Sequence, residues 1–137
     1  MINIIYKVEE SLDPSEFIDV LNRSTLGERR PVDDFNRIEE MCKNANLIIT
    51  ARLDSKLIGV ARSITDFVYC TYLSDLAVDI EYQNQGIGKS LIMETKKASP
   101  KAKIILLSAP AAVGFYPNIG MKKHDYCFTL DDIKELK

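Results

Sequence analysis

The chain has 137 residues, 46% of them hydrophobic and 28% charged, which fits one globular domain with a real core. A net charge of −2 leaves no basic footprint and sets nucleic acid aside as a partner. No apolar run approaches the ~20 residues that span a bilayer, so no membrane partner is expected.

The opening stretch MINIIYKVEE lacks the basic segment and long apolar core of a signal peptide. Cys42, Cys70 and Cys127 are odd in number, scattered and without C-x-x-C spacing, which predicts reduced thiols in a cytoplasmic protein and no metal. No repeat or low-complexity segment interrupts the chain, so residues 1–137 are expected to form a single domain.

Ile2 to Val8 alternates loosely and predicts a first strand. Asp13-Pro14-Ser15-Glu16 then combines a capping acceptor, a proline at the first helical position and a glutamate at the third, and predicts a helix to about Arg23 with Phe17, Val20 and Leu21 inward. Ser24 to Val32, with Gly27, Pro31 and three charges, reads as a loop. Asp33 or Asp34 caps a second helix, where Phe35, Ile38, Met41 and Cys42 recur at helical spacing. Asn46–Leu53 and Leu57–Thr65 are strand-like runs joined by Asp54-Ser55-Lys56, a hairpin. Only a few residues separate the second run from a Tyr69–Asp79 strand, which implies antiparallel pairing again. Pro100 stops a central helix, and Ile104-Ile105-Leu106-Leu107 is a short buried strand. A strand, a crossover helix and another strand give a parallel pair, so the sheet is mixed: an antiparallel meander followed by one βαβ unit. Ala111 to Tyr116 predicts a short helix ended by Pro117-Asn118-Ile119-Gly120. Met121 to Leu130 predicts a final strand with His124, Tyr126, Phe128 and Leu130 on one face, before a short helix or frayed tail.

The stretch Leu76–Ala98 organises the chain. The apolar triplet Leu76-Ala77-Val78 leads into Gln83-Asn84-Gln85-Gly86-Ile87-Gly88, and a helix follows with Ile87, Leu91, Ile92, Thr95 and Ala98 on one side. A glycine-bearing turn that opens a helix gathers unpaired backbone N–H groups at the positive end of the helix dipole, which suits a phosphate or pyrophosphate. The P-loop pattern needs a glycine where Gln83 stands, and the dinucleotide fingerprint needs one where Leu91 stands. A nucleotide-phosphate binder using Gly88-Lys89-Ser90 is thereby a rival reading without its first glycine.

The pattern Gln/Arg-x-x-Gly-x-Gly/Ala is met in full by Gln83 to Gly88. It resembles the acyl-CoA-binding motif of the GCN5-related N-acetyltransferase (GNAT) superfamily. The order of elements resembles that family over roughly Ile2 to Leu130. A second motif, Asn-x-x-Ala-x-x-Phe-Tyr and then Gly-Phe, is matched at Ala112, Phe115, Tyr116 and Gly120, with Ala109 in place of the asparagine and Met121 in place of the phenylalanine. The resemblance implies an α/β (α+β) fold: a mixed, mainly antiparallel sheet with one parallel βαβ unit and helices on both faces. It further implies acetyl-CoA as co-substrate and a primary amine of a small molecule or peptide as acceptor; transfer is expected to be direct, because none of the cysteines falls in the second motif, where an acyl-enzyme nucleophile would stand. A non-catalytic CoA-binding regulatory module is the alternative, and edge strands offer a homodimer contact.

By the same resemblance, the backbone of Leu76, Ala77 and Val78 pairs with the pantetheine arm, and the Val78 N–H polarises the thioester carbonyl. The amides of Gln85, Gly86, Ile87, Gly88 and Lys89 take the pyrophosphate, with Gln83 and Asn84 at the entrance, and Ser90 is counted with them as a cofactor-binding residue. Tyr116 meets the leaving thiolate. A phenol near pKa ~10 facing a thiol near ~8.5 favours a hydrogen bond to sulfur, or a lowered phenol pKa, over free proton transfer. Asp75, one residue before the triplet, is a candidate general base, directly or through water, and Glu28 is another. His124 reads as a surface or strand-packing residue. Arg29 and Arg30 read as a solvated loop, or as selectors of an acidic acceptor.

Overall fold

The computed structural model describes residues 3–137, so Ile2 of the first predicted strand lies outside the described residues. Their contacts divide into two compact units, one running to Leu107 and one spanning Ser108–Lys137.

The first unit is built on a five-stranded mixed sheet in the order β1-β2-β3-β4-β5. Strands β1 (Ile4–Val8), β2 (Leu47–Leu53), β3 (Lys56–Thr65) and β4 (Cys70–Val78) form an antiparallel meander, and β5 (Lys103–Ile105) runs parallel to β4. Asp54 and Ser55, which join β2 to β3, have φ of 48° and 71°. Two central residues in the left-handed region match the twist of the strands they connect.

Helix α1 (Pro14–Arg23) starts as its sequence predicts, with the Asp13 carboxylate accepting from the Ser15 N–H at 2.8 Å. Glu16 does not fold back on that cap; it accepts from Arg52 of β2 at 2.8 Å. Helix α2 (Phe35–Asn44) is capped by Asp34, which accepts from the Arg37 N–H at 3.1 Å. Ile38 and Cys42 point inward, but Phe35 in the first turn is exposed. The loop between α1 and α2 contains a 3₁₀ turn, Leu26–Arg29. Helix α3 (Ile87–Ala98) buries Ile87, Leu91 and Thr95 and ends just before Pro100.

Helices cover both faces of the sheet. Phe17, Val20, Leu21 and Ile38 of α1 and α2 pack on one face against Ile48, Leu57, Val60 and Ala77. On the other face, Ile87 and Leu91 of α3 pack against Leu47, Ile49, Ala51, Ile58, Ala61 and Leu73. Leu57 and Val60 are three apart, a spacing that an unbroken strand sends to opposite faces. A register shift resolves this: Ala51 pairs Gly59 while Arg52 pairs Leu57, which leaves Ile58 as an extra residue in β3. Gly59 beside it lets α3 come close, since a Cβ there would stand 3.2 Å from both Ile87 Cγ2 and Leu91 Cδ1.

The second unit holds a 3₁₀ turn at Pro110–Ala112, a short helix α4 (Phe115–Asn118) and a 3₁₀ turn at Ile133–Glu135. The helix expected over Ala111–Tyr116 is thus broken in two, and Pro117 lies inside α4 instead of ending it. It sits in the first helical turn, where a missing N–H costs no helical bond. The final strand expected over Met121–Leu130 does not form: those residues are in turn and irregular backbone. Among the described residues no strand pairs with them, and Tyr126 and Phe128 are 78% and 87% exposed. Alternation marks which face a strand would bury, but a strand exists only where a neighbour satisfies its N–H and C=O groups.

Candidate functional site

Strand β4 carries the second irregularity of the sheet. Arg62 pairs Asp75 while the next residue, Ser63, pairs Leu73, so Ser74 is an extra residue in β4. Below the bulge, the Asp66 N–H donates to the Cys70 carbonyl and the Lys103 N–H to the Tyr69 carbonyl. Even-numbered residues there face β3 and odd-numbered ones face β5. Above the bulge, the Asp79 N–H donates to the Ile58 carbonyl at 2.8 Å, so odd-numbered residues face β3. The backbone N–H and C=O groups of Leu76 and Val78 consequently point to the β5 side. Among the described residues β5 pairs only with Cys70–Tyr72, and no strand continues along β4 on that side. Leu76 and Val78 thus present backbone hydrogen-bonding groups along an open edge, the template that an extended ligand arm pairs with.

The turn after β4 is held in place from three directions. Asp79, 2% exposed, accepts from the guanidinium of Arg23 and from the Glu81 N–H at 2.9 Å, starting a 3₁₀ turn at Ile80–Tyr82. Arg23 in turn donates to the Leu57 carbonyl at 2.7 Å. The Gln83 side-chain amide donates to the Val78 carbonyl at 2.9 Å, tying the first motif residue back to the strand end. Asn84 and Gly86 have φ of 64° and 84°, and Gly86 is the N-terminal cap residue of α3. No side chain caps that helix, and its first intrahelical bond is from Ser90 N–H to the Gly86 carbonyl at 3.0 Å. The amides of Ile87, Gly88 and Lys89 precede that bond and have no intrahelical acceptor. Gln83, Asn84, Gln85, Gly86 and Lys89 are exposed, and a Cβ built at Gly86 meets nothing within 4 Å. The cradle is open, donor-rich and at the positive end of a 12-residue helix, so it fits the pyrophosphate of a CoA thioester.

Asp75 is fully buried on the opposite side of β4 from these groups, alongside Ala77 on the α1–α2 face. Arg30 Nε and Arg62 Nε each donate to one of its two carboxylate oxygens. Arg30, predicted as a solvated loop residue or an acceptor selector, is therefore committed to an internal ion pair. Glu28 and Arg29 are exposed on the same 3₁₀ turn. Arg23, Arg62 and Asp79 carry no motif signal, and their roles come from partners 34, 13 and 56 positions away in the chain.

Within the second unit Tyr116 is half-buried, and its ring meets Phe115 edge-on at 5.1 Å. Its carbonyl accepts from the Met121 N–H at 3.0 Å, closing the turn after α4. Burial pushes the phenol above its ordinary pKa. That direction runs against a lowered phenol pKa and is in keeping with a neutral hydroxyl. His124 Nδ1 accepts from the Tyr126 N–H at 3.0 Å, and the two rings meet edge-on.

Comparison with known proteins agrees with this geometry. The family model described as the Acetyltransferase (GNAT) domain matches residues 26–134. A chloroplastic GCN5-related N-acetyltransferase 2 of Arabidopsis thaliana is 36% identical over 72 residues, which is 50% of this chain and 28% of that protein's length. In fold, the chain is similar to a GNAT family acetyltransferase of Streptococcus pneumoniae, with a TM-score of 0.79 at 22% identity, covering 98% of this chain and 100% of that one. It is similar also to an aminoglycoside N-acetyltransferase solved in complex with CoA, with a TM-score of 0.74 at 13% identity, covering 97% of each chain. A mixed sheet with an open β4 edge, a glycine turn opening α3 and a family match over most of the sequence lead to one assignment: the chain belongs to the GNAT acetyltransferase family.

Proposed function

We propose that this protein moves the acetyl group of acetyl-CoA directly to a primary amine of a small molecule or peptide. The observation that carries the reading is a pair of donor sets without partners among the described residues: the Leu76 and Val78 N–H groups on the β4 edge and the amides of Ile87, Gly88 and Lys89 at the start of α3. The edge holds the pantetheine arm, the α3 amides hold the pyrophosphate, and the Val78 N–H stabilises negative charge on the thioester oxygen. The amine lone pair attacks the carbonyl carbon, the C–S bond breaks, the sulfur leaves with the electron pair as a thiolate, and the nitrogen gives up its proton to solvent water. Tyr116 donates a hydrogen bond to that sulfur. Asp75 is not given the proton: it is fully buried, and both of its oxygens are already engaged by guanidinium groups, so neither reaches an incoming amine. The aminoglycoside N-acetyltransferase of similar fold supports an amine as acceptor.

The test is a melting curve with and without acetyl-CoA, followed by thiol release against amines, amino acids, polyamines and peptide N-termini. A ligand at ~100-fold excess over its Kd adds about 2.7 kcal/mol to the native state. No melting shift at millimolar CoA overturns the reading. A shift with no thiol release from any amine points to a CoA-binding module without turnover.

A further inference from the structure

The bulge at Ser74 is the reason the Leu76 and Val78 amides face the open edge, and it is held by two arginines. Arg30 donates from Nε to Asp75 and from Nη2 to the Ser74 carbonyl at 2.9 Å. Arg62 donates from Nε to the other Asp75 oxygen and from Nη2 to Ser74 Oγ at 3.0 Å. Each guanidinium therefore spans both residues of the bulge. Arg62 also donates to the Met41 carbonyl at 3.1 Å, and Arg30 to the Arg29 carbonyl at 2.9 Å, so the clamp is anchored on α2 and on the α1–α2 loop. Exposure falls from Arg30 at 22% through Arg62 at 7% to Asp75 at 0%, the profile of a charge network closed over from outside by the loop arginine. An extra strand residue leaves backbone groups out of the ladder, and a bulge persists only where other donors take them up.

We propose that Arg30, acting through Asp75 and Ser74 together with Arg62, is a positioning residue for the acyl donor: it locks the bulge that turns the β4 amides toward the pantetheine arm. The inference rests on the donor-site reading above. It makes the α1–α2 loop a determinant of how well the arm binds. A lysine in place of Arg30 keeps the charge but not the planar fork that reaches Asp75 and Ser74 at once.

The experiment is a titration of the full chain with CoA and with ADP, which carries a pyrophosphate but no pantetheine arm. Asp75→Asn is the obvious variant, but it strands two guanidiniums on a buried amide and risks unfolding the protein. Arg30→Ala and Arg30→Lys change the most exposed member instead. For Arg30→Ala the expected result is an ADP affinity within about twofold of the parent's and a CoA-to-ADP preference reduced about 10-fold or more. Arg30→Lys is expected to behave like the alanine variant. An unchanged preference in both variants overturns the proposal, as does an equal loss of both ligands with a lower Tm, because that marks a merely structural role. Failure of the parent chain to bind CoA is a different result, and it overturns the donor-site reading together with the clamp.

Discussion

Tyr116 shows what one side chain owes to its surroundings. The Phe115-Tyr116 pair singles it out in the sequence, but the pattern carries no information on its ionisation. Burial raises its pKa, so the group is a neutral donor throughout the neutral range, and phenol ionisation takes it away only above its ordinary ~10. Tyr116→Phe keeps the ring against Phe115 and removes only the hydroxyl. Turnover is expected to fall by roughly 10²–10⁴-fold while CoA affinity stays near the parent value. Such a drop in kcat with binding intact marks an interaction made chiefly in the transition state. Steady-state thiol release beside a CoA titration measures both. Unchanged turnover, or a loss of stability equal to the loss of activity, leaves Tyr116 as a packing residue.

At the level of elements, two irregularities make the site: the bulge at Ser74 and the left-handed cap at Gly86. They differ in how far the sequence announces them. Gly86 stands in a recognisable turn, and its positive φ explains the glycine. The bulge has no glycine and no periodicity break strong enough to read, since Leu73, Leu76 and Val78 look like strand residues in any register. Only the pairing of Arg62 with Asp75 and of Ser63 with Leu73 reveals it. Gly86→Val should cost about 1–2 kcal/mol of stability, because a side chain is unfavourable at φ 84°. It should also abolish the CoA-induced melting shift, because the branch fills the open space before the α3 amides. Circular dichroism checks that the variant is folded, and the shift with CoA checks the site. A folded variant that binds CoA like the parent makes the turn purely structural.

On the scale of the whole chain, the unit up to Leu107 and the unit from Ser108 differ in how their backbone is satisfied. Residues up to Leu107 carry the five-stranded sheet and both helical layers. Among the described residues, the backbone-to-backbone hydrogen bonds outside helices and strands include none from residues 122–130. Native-state hydrogen exchange should separate the two: amides of β2 and β3 are expected to exchange at least about 10³-fold more slowly than those of 122–130. Strong protection across 122–130 would show that these residues form the strand their alternation predicts.

Local chemistry accounts for what the sequence determined by itself. The caps at Asp13 and Asp34, the turn at Asp54-Ser55, the inward faces of α1 and α3 and the glycine turn all depend on residues a few positions apart, so their signals survive in one dimension. The tertiary structure decided the rest. It buried Asp75 between Arg30 and Arg62, joined Arg23 to Asp79, re-phased β4 around Ser74 and left Met121–Leu130 without a strand partner. Each of those outcomes turns on whether a charge or a backbone group far along the chain finds its partner, and desolvation makes that choice only once the sheet has formed.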